Sequence, residues 1–398
     1  MLKANSKFKI SALVLAVSSC FGATQAVAAD NAGFLSGSDL KLNFRYRFEN
    51  VDQDGFAKDA KASTLRSRLS FKSGAVYNVR LNAEVDNVTT IGADDYNDAS
   101  GVNPKAQYPV VADPTGTDLN QLNLLYKNEG LTFTLGRQRI NLGNQRFVGG
   151  VAWRQNEQTF DGARIQYAIN DMFSADYSYI KNVNRIFGPD GAKDNLRGSF
   201  HFVNANVKIN KNHKLTGFAY LLNQDKIDQN NNTYGIDYLG KFGAFKGHAS
   251  FATQTYGDFD ANYFALDGTV KISMFNVTLG LEKLGSDDGK YGFTTPFATA
   301  HKFQGFADKF LKTPKNGVND YYAKVATKLG PVKLAAFYHK LDAVEGNADY
   351  GNEFDLVASV KVHKTTTLVA KYANYDAKDL ATDTSKFWLM ANVNFDLI

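Results

Sequence analysis

The chain has 398 residues, of which 44% are hydrophobic, 13% aromatic and 21% charged, and its formal net charge is +5. This aromatic content and low net charge exclude an intrinsically disordered chain. Beyond the N-terminus no run of about 18 apolar residues occurs, which excludes a membrane protein built from transmembrane helices. The 30 Phe and 20 Tyr beside only 7 Pro and 4 Met favour strands over helices.

Residues 1–29 have the three parts of a secretory signal peptide. Three lysines begin it, residues 10–17 form a short apolar core, and residues 26–29 offer small-residue cleavage sites. A lipoprotein signal ending at Cys20 is the alternative interpretation. Removal of residues 1–29 takes away three lysines and the only cysteine. The remaining chain then has 42 basic and 40 acidic residues, a formal charge of +2, and no disulfide or thiol chemistry.

Period-two alternation of apolar and polar side chains begins directly after this segment. Residues 40–48 place apolar side chains on one face of a strand and polar ones on the other, and residues 387–397 end the chain in the same way. We count eighteen such segments of about ten residues, the length that a tilted strand needs to cross a bilayer. They are predicted at 39–50, 64–72, 78–87, 119–127, 131–140, 159–168, 172–181, 199–209, 214–222, 233–241, 245–254, 263–272, 275–284, 320–329, 332–341, 353–362, 365–375 and 386–397.

The connections between these segments alternate between long and short. Short turns such as 128–130, 169–171 and 363–364 alternate with long segments such as 88–118 and 285–319. This asymmetry is typical of an outer-membrane barrel with short periplasmic turns and long extracellular loops. All seven prolines fall in the connections, as expected because proline cannot donate to a central ladder.

A soluble all-β protein, such as a propeller or tandem sandwiches, is the alternative fold. It does not require one purely apolar face on strand after strand, nor the asymmetry of the loops. We therefore predict an all-β fold, a transmembrane antiparallel up-and-down barrel of about 18 strands in which residues 30–398 form one domain. A closed barrel pairs every strand edge, as a sheet in lipid requires.

With the apolar face toward lipid, the polar face lines the lumen. On these phases 17 basic and 10 acidic residues face inward, a lumen of about +7; the fifth, ninth and seventeenth segments have ambiguous phase. Such an excess favours anions, because low-dielectric walls focus the field and rings of Arg and Lys select for anions. The basic candidates are Lys41, Arg45, Arg47, Arg66, Arg68, Lys72, Arg80, Lys127, Arg164, Lys208, Lys241, Lys246, Lys271, Lys324, Lys328, Lys333 and Lys361.

Arginines on the first three strands are the sharpest local feature of this pattern. Guanidinium groups bind carboxylates bidentately, so a cluster of them suits a track for carboxylate solutes. The alternative is that Glu49, Glu84 and Asp86 are their structural partners. A second basic group flanks a glycine-rich segment that we expect to fold inward. The candidate pore-lining residues are Arg45, Arg47, Arg66, Arg68, Arg80, Arg137, Arg139, Arg154 and Arg164.

Enzymatic motifs are missing from the sequence. No G-x-S-x-G elbow occurs, and the six histidines lack metal-ligand spacing. Acid-rich loops, at residues 94–98 and 287–288, leave divalent-cation binding open, although solvated loop charge is the simpler interpretation. We expect no catalytic residue, no cofactor, no dedicated metal site and no nucleic-acid partner.

Two loop regions carry a resemblance to a known family. Residues 135–147 (LGRQRINLGNQRF), continuing through Trp153-Arg154 to residues 160–164 (FDGAR), resemble the alginate-export family of outer-membrane porins. Residues 293–303 (FTTPFATAHKF) and 305–311 (GFADKFL) are similar to it as well. The resemblance implies a monomeric eighteen-stranded barrel with an electropositive constriction that passes an anionic polysaccharide.

The resemblance and the strand pattern together predict where in the cell the protein lies and what surrounds it. We expect a bacterial outer-membrane porin, exported by its signal peptide, surrounded by lipid and lipopolysaccharide and inserted by the outer-membrane assembly machinery. The expected solutes are anionic, uronate-type oligosaccharides or polysaccharides or related small solutes; a general diffusion porin is the alternative. The chain ends Phe395-Asp-Leu-Ile398 rather than in an aromatic residue, which departs from many barrels.

Overall fold

The computed structural model describes residues 32–102 and 104–398, so the predicted signal peptide lies outside the described residues. Within them, no helix is long and apolar enough to cross a membrane. The only α-helix of the described chain is a single turn at Ala32–Leu35, and a short 3-10 turn lies at Ala300–Lys302.

Strands account for most of the remaining chain, and the eighteen long ones correspond one to one to the predicted segments. In chain order they are β1 (Asp39–Gln53), β2 (Ala60–Lys72), β3 (Val79–Asp95), β4 (Gly116–Asn128), β5 (Leu131–Gln138), β6 (Thr159–Ala168), β7 (Phe173–Asn184), β8 (Asn195–Asn210), β9 (His213–Gln224), β10 (Asn231–Phe242), β11 (Phe245–Tyr256), β12 (Phe259–Ile272), β13 (Phe275–Leu284), a two-residue hairpin β14 (Ser286–Asp287) and β15 (Tyr291–Gly292), then β16 (Val318–Leu329), β17 (Val332–Asp342), β18 (Asp349–Lys361), β19 (Thr366–Ala377) and β20 (Thr384–Asp396).

Each long strand pairs antiparallel with its neighbours in sequence, and the sheet closes on itself. The last strand, β20, pairs with β1 from Lys41 opposite Asp396 to Gln53 opposite Thr384. The predicted eighteen-stranded up-and-down barrel is therefore confirmed. Several strands extend beyond their predicted ends on the side of the long loops; β3, for instance, continues to Asp95 rather than ending near residue 87.

The two faces of the wall differ as the alternation predicts. Large apolar side chains on the outer phase are exposed, among them Leu279 at 65% and Ile236 at 55%, as expected of a surface that contacts lipid. Short connections, such as Gly330-Pro331, join the strands at one end of the barrel, and the long connections lie at the other. All seven prolines lie outside the strands.

Three of the long connections fold into the barrel and fill part of its lumen. They are the β3–β4 loop (residues 96–115), the β5–β6 loop (139–158) and the β15–β16 loop (293–317). The last two are joined to each other by a parallel bridge between Val148 and Phe297. These loops place side chains from distant parts of the chain against the inner wall.

Candidate functional site

The arginines of β1 and β2 meet in the lumen because two-residue spacing keeps them on one face. Arg45 and Arg47 point inward from β1, and Arg45 lies directly opposite Arg66 of β2. All four residues are at most 8% exposed. We call Arg45, Arg47, Arg66 and Arg68 the arginine frame. Four buried cations this close together require compensating groups, because burial of an unpaired charge is very costly.

Carboxylates from the wall and from the β5–β6 loop surround Arg68. Its guanidinium binds both oxygens of Asp86 at 2.6 Å and donates to Glu157 of the loop at 2.8 Å. Glu157 also accepts from Arg139 and lies 3.6 Å from Arg66. Burial alone would raise the pKa of Glu157, but the charges of these arginines hold it well below its ordinary value. Glu157 is therefore an anion at neutral pH and ties the loop to the wall.

Arg47 and Arg45 bind two different loops at once. Arg47 forms a 2.9 Å ion pair with Asp113 of the β3–β4 loop, and its guanidinium lies 4.3 Å above the ring of Trp153 in the β5–β6 loop. Arg45 donates to Gln155 at 2.9 Å and to the carbonyl of Ala152 at 2.8 Å. Although burial opposes it, the charge of Arg47 keeps the pKa of Asp113 below its ordinary value. The frame is thus a clamp for both loops.

The β15–β16 loop is held by a second charged cluster around Asp308. This carboxylate accepts from His301 at 2.6 Å and from Arg154 and Lys386 at 3.2 Å each. The other ring nitrogen of His301 lies 2.7 Å from the Nζ of Lys371. Burial lowers the pKa of His301 to about 3 against the opposing charge of Asp308. His301 is consequently neutral at physiological pH, donates through Nδ1 and accepts through Nε2.

Backbone groups of the same loop dock on β18. The N–H of Ala307 donates to Glu353 at 2.6 Å, and that of Phe306 to Asp355 at 3.2 Å. Gly305, which precedes them, has a φ of +85°, and a Cβ there would lie 2.2 Å from the Glu353 carboxyl carbon. The positive φ favours glycine, and a larger residue would also have to displace the Glu353 carboxylate that accepts from Ala307.

An aromatic cluster holds the opposite side of the loops. Phe147 of the β5–β6 loop lies 4.9 Å from Phe218 and 5.2 Å from Tyr263, measured between ring centroids. Phe297 of the β15–β16 loop lies 5.1 Å from Phe200. The wall rings come from β8, β9 and β12, and one ion pair lies beside them, between Arg146 of the β5–β6 loop and Glu282 of β13 at 2.9 Å. Most of the ion pairs of the loops therefore lie along β18–β20 and β1–β3, and most of the aromatic packing lies along β8–β12.

The remaining candidate arginines do not join the frame. Arg139 bridges Glu84 and Glu157, and Arg154 pairs with Glu49 at 2.9 Å. Arg137 binds Asp161 at 2.8 Å, and Arg164 binds Asp176. Arg80 donates only a 3.4 Å hydrogen bond to the carbonyl of Ser73. The structure thus brings the nine candidates to several places, on the wall and in the β5–β6 loop, rather than to one track.

Sequence reasoning missed the partners that the loops supply. Asp113, Gln155 and Glu157 carry no motif, and they lie 66 to 110 residues from the frame arginines whose hydrogen bonds they accept. Lys371 and Lys386 were also missed as inward residues. The only available signal for the loops was the inward folding expected for the glycine-rich segment, and residues 139–158 do fold inward.

Lysines near the short turns carry charge without partners. In the described part of the chain, none of these eight side chains has a carboxylate oxygen within 4.0 Å. Seven of the eight were predicted to face the lumen; Lys214 was not, because it lies in the ninth segment, whose phase was ambiguous. They are Lys208, Lys214, Lys241, Lys246, Lys271, Lys328, Lys333 and Lys361.

Known proteins match both the sequence and the fold. A family model described as alginate export matches residues 37–287. The structure is similar to that of OccAB4 from Acinetobacter baumannii, with a TM-score of 0.72 and 15% identity over 93% of this chain and 100% of that chain. It is also similar to OccD3 (OpdP) from Pseudomonas aeruginosa, with a TM-score of 0.69 and 14% identity over 92% and 93% of the two chains. No curated protein sequence matches the chain.

Proposed function

Because the chain belongs to the alginate export family and has the fold of outer-membrane porins, we propose that it is a passive, anion-favouring channel for anionic, uronate-type oligosaccharides or polysaccharides or related small solutes. Family and fold are those of an outer-membrane porin, a channel rather than an enzyme. We propose in addition that the protein is a monomer, that the outer-membrane assembly machinery inserts it, and that a cleaved signal peptide delivers it to the periplasm.

One observation carries the preference for anions. The eight lysines near the short turns have no carboxylate partner in the described chain, whereas carboxylates surround Arg68. Charge that the protein does not neutralise acts on solutes, and walls of low dielectric concentrate its field within the pore. The lumen therefore attracts anions where these lysines lie.

The arginines have two roles in this proposal. The buried arginine frame positions the loops that narrow the lumen. The other candidates are Arg80, Arg137 and Arg164 on the wall and Arg139 and Arg154 in the β5–β6 loop, and we propose that the more accessible among them line the path beside the loops. The side chain of Arg139 is 28% exposed, and it shares the carboxylates of Glu84 and Glu157 with Arg68 of the frame.

Ion selectivity in planar bilayers tests the proposal directly. A tenfold KCl gradient across the membrane should give a reversal potential of the sign that chloride permeation produces. A potential of the opposite sign, unchanged in the Arg45→Ala, Arg66→Ala and Arg68→Ala variants, contradicts it.

Solute class is tested separately, by swelling of proteoliposomes. Glucuronate should enter faster than glucose, which has nearly the same size but no charge. Equal rates for the two sugars would favour the alternative, a general diffusion porin without specificity for anionic carbohydrates.

A further inference from the structure

Three of the short hairpins place two lysines directly opposite each other. The pairs are Lys208 with Lys214 between β8 and β9, Lys241 with Lys246 between β10 and β11, and Lys328 with Lys333 between β16 and β17. Like charges at opposed positions of an antiparallel pair repel each other. An unfavourable pairing that recurs on three hairpins points to a role other than stability.

These pairs belong to one continuous row along the wall. Lys214 is opposite Leu239, so Lys241, two residues further along β10, is its diagonal neighbour. Lys246 is opposite Thr269, so Lys271 is diagonal to it in the same way. The row continues through β16, β17 and β18 and misses only β13 among nine consecutive barrel strands. We call its members the lysine arc: Lys208, Lys214, Lys241, Lys246, Lys271, Lys328, Lys333 and Lys361.

The arc faces the lumen. Lys246 shares its face of β11 with His248, whose two ring nitrogens bond Asp237 at 2.7 Å and Asp267 at 2.8 Å. Asp237 and Asp267, each four residues from the arc lysine of its own strand (Lys241 and Lys271), are therefore already engaged. On the far side, Lys271, Lys328 and Lys333 line a cavity of about 510 Å³ together with Lys324, and none of the described residues that line it is acidic.

The geometry suits a ligand with several negative charges. Directly opposed residues have Cβ atoms about 5 Å apart, so two ammonium groups converge on one carboxylate or phosphate. Neighbouring strands lie about 4.8 Å apart, so the arc spans on the order of 40 Å along half the barrel. A monovalent anion meets one pair, whereas a solute with several anionic groups engages two or more pairs at once.

We infer that the lysine arc is a binding site for solutes carrying several carboxylate or phosphate groups, located at the periplasmic mouth of the pore. The short turns beside the arc identify that mouth, because outer-membrane barrels place short turns in the periplasm. The inference rests on the proposed channel function and deepens it: it names the residues that capture the solute and the side from which they do so.

Side-dependent block of the channel by citrate tests this inference. Citrate, a tricarboxylate, is added to one chamber at a time while single-channel current is recorded in KCl. The wild-type channel should be blocked at a lower concentration from the periplasmic side than from the extracellular side. Orientation is read from an Asp190→Cys background, in which a bulky thiol reagent reports the extracellular loop that contains Pro189, since residues 30–398 hold no other cysteine.

The decisive variant is the quadruple K208Q/K214Q/K241Q/K246Q. Its half-blocking citrate concentration from the periplasmic side should rise at least tenfold, while block from the extracellular side stays unchanged. Arginine at the same four positions should restore the block because it keeps the charge. The matched control, K193Q/K226Q/K312Q/K315Q, removes the same charge from exposed loop lysines and should change the block less than twofold.

Two outcomes overturn the inference: equal block from both sides in the wild-type channel, or unchanged block in the K208Q/K214Q/K241Q/K246Q variant. The reversal potential in KCl is recorded in the same membranes, so failure of the proposed function is seen separately. If the channel prefers cations but citrate still blocks it from the periplasmic side, the binding site at the lysine arc is supported and the anion-favouring function is contradicted. If the channel prefers anions but the lysine variant does not change the block, the function is supported and the binding site is contradicted.

Discussion

The arginine frame and the lysine arc are both positively charged, but among the residues that the structure describes only the charges of the frame are paired with groups of the protein. Frame arginines are buried and bind carboxylates or carbonyls of three different segments. Arc lysines lie near the short turns, and the described chain offers them no carboxylate within 4.0 Å. The frame lies on the wall where the loops contact β1 and β2, and the arc lies beside the short turns.

This difference separates structural charge from functional charge. Neutralised arginines fix the position of loops, as buried ion pairs with several hydrogen bonds do. Uncompensated lysines contribute field to the lumen and repel one another, which costs stability without a structural gain. Counting inward charges from the sequence gives both groups equal weight, whereas the contacts assign them different roles.

Among the variants that test this comparison, Arg68→Ala should change stability and ion selectivity most. Arg68→Ala leaves Asp86, Glu84 and Glu157 as buried acids short of a partner, and we expect a loss of about 3–5 kcal/mol in the free energy of unfolding. Release of the β5–β6 loop should also raise single-channel conductance and shift selectivity toward cations. Urea unfolding and bilayer recording measure the two effects. The control for stability is Arg80→Ala, which removes one weak hydrogen bond; equal losses of stability in the two variants would refute the clamp.

A variant in the aromatic cluster should lose about as much stability as a variant in the arginine frame, but its ion selectivity should not change. Phe297→Ala empties a site packed between Phe160, Phe200 and Phe202, for which we expect a loss of about 3 kcal/mol. No charge changes, so the reversal potential should stay within error of the wild type. A selectivity shift as large as that of Arg68→Ala would show that loop position, rather than local charge, sets the ion preference.

Acid should loosen the β15–β16 loop through His301. The docked loop holds the pKa of His301 at about 3, below its unfolded value of about 6.5. The released form therefore binds the proton more tightly, so docking is fully stable above pH 6.5 and weakens as the pH falls toward 3. At pH 5.5 the loss is about 1.4 kcal/mol. Conductance should rise between pH 7 and 5, and His301→Gln should abolish the rise. His363→Gln, in an exposed turn, should leave it intact.

Neutralising one lysine of an opposed pair should have the smallest effect on stability, and it should raise stability rather than lower it. Lys328→Gln removes repulsion with Lys333, and we expect a gain of about 0.2–1 kcal/mol in the free energy of unfolding. The matched control, Lys364→Gln in the β18–β19 turn, should change stability by less. A loss of stability in the Lys328→Gln variant would indicate that the pair has a structural partner after all.

Alternation along the chain was sufficient to predict the barrel. Successive side chains on a strand point to opposite faces, so the local sequence determines which residues face inward, as for Arg45 and Arg47 on β1. Loop lengths and proline positions then predicted topology. Lys214 was missed because its strand alternates Phe218 and Tyr220 inward with small and apolar residues outward, which leaves the phase undefined by sequence.

The sequence by itself determined the strand count, the closed antiparallel topology and most of the inward basic residues, because each depends on a period of two residues. Only the tertiary structure decided which of those cations are neutralised. Asp113 and Glu157 reach the arginine frame across long loops, and Asp308 reaches Arg154 from 154 positions away. Such contacts form only when the barrel closes around its loops, and no local pattern encodes them.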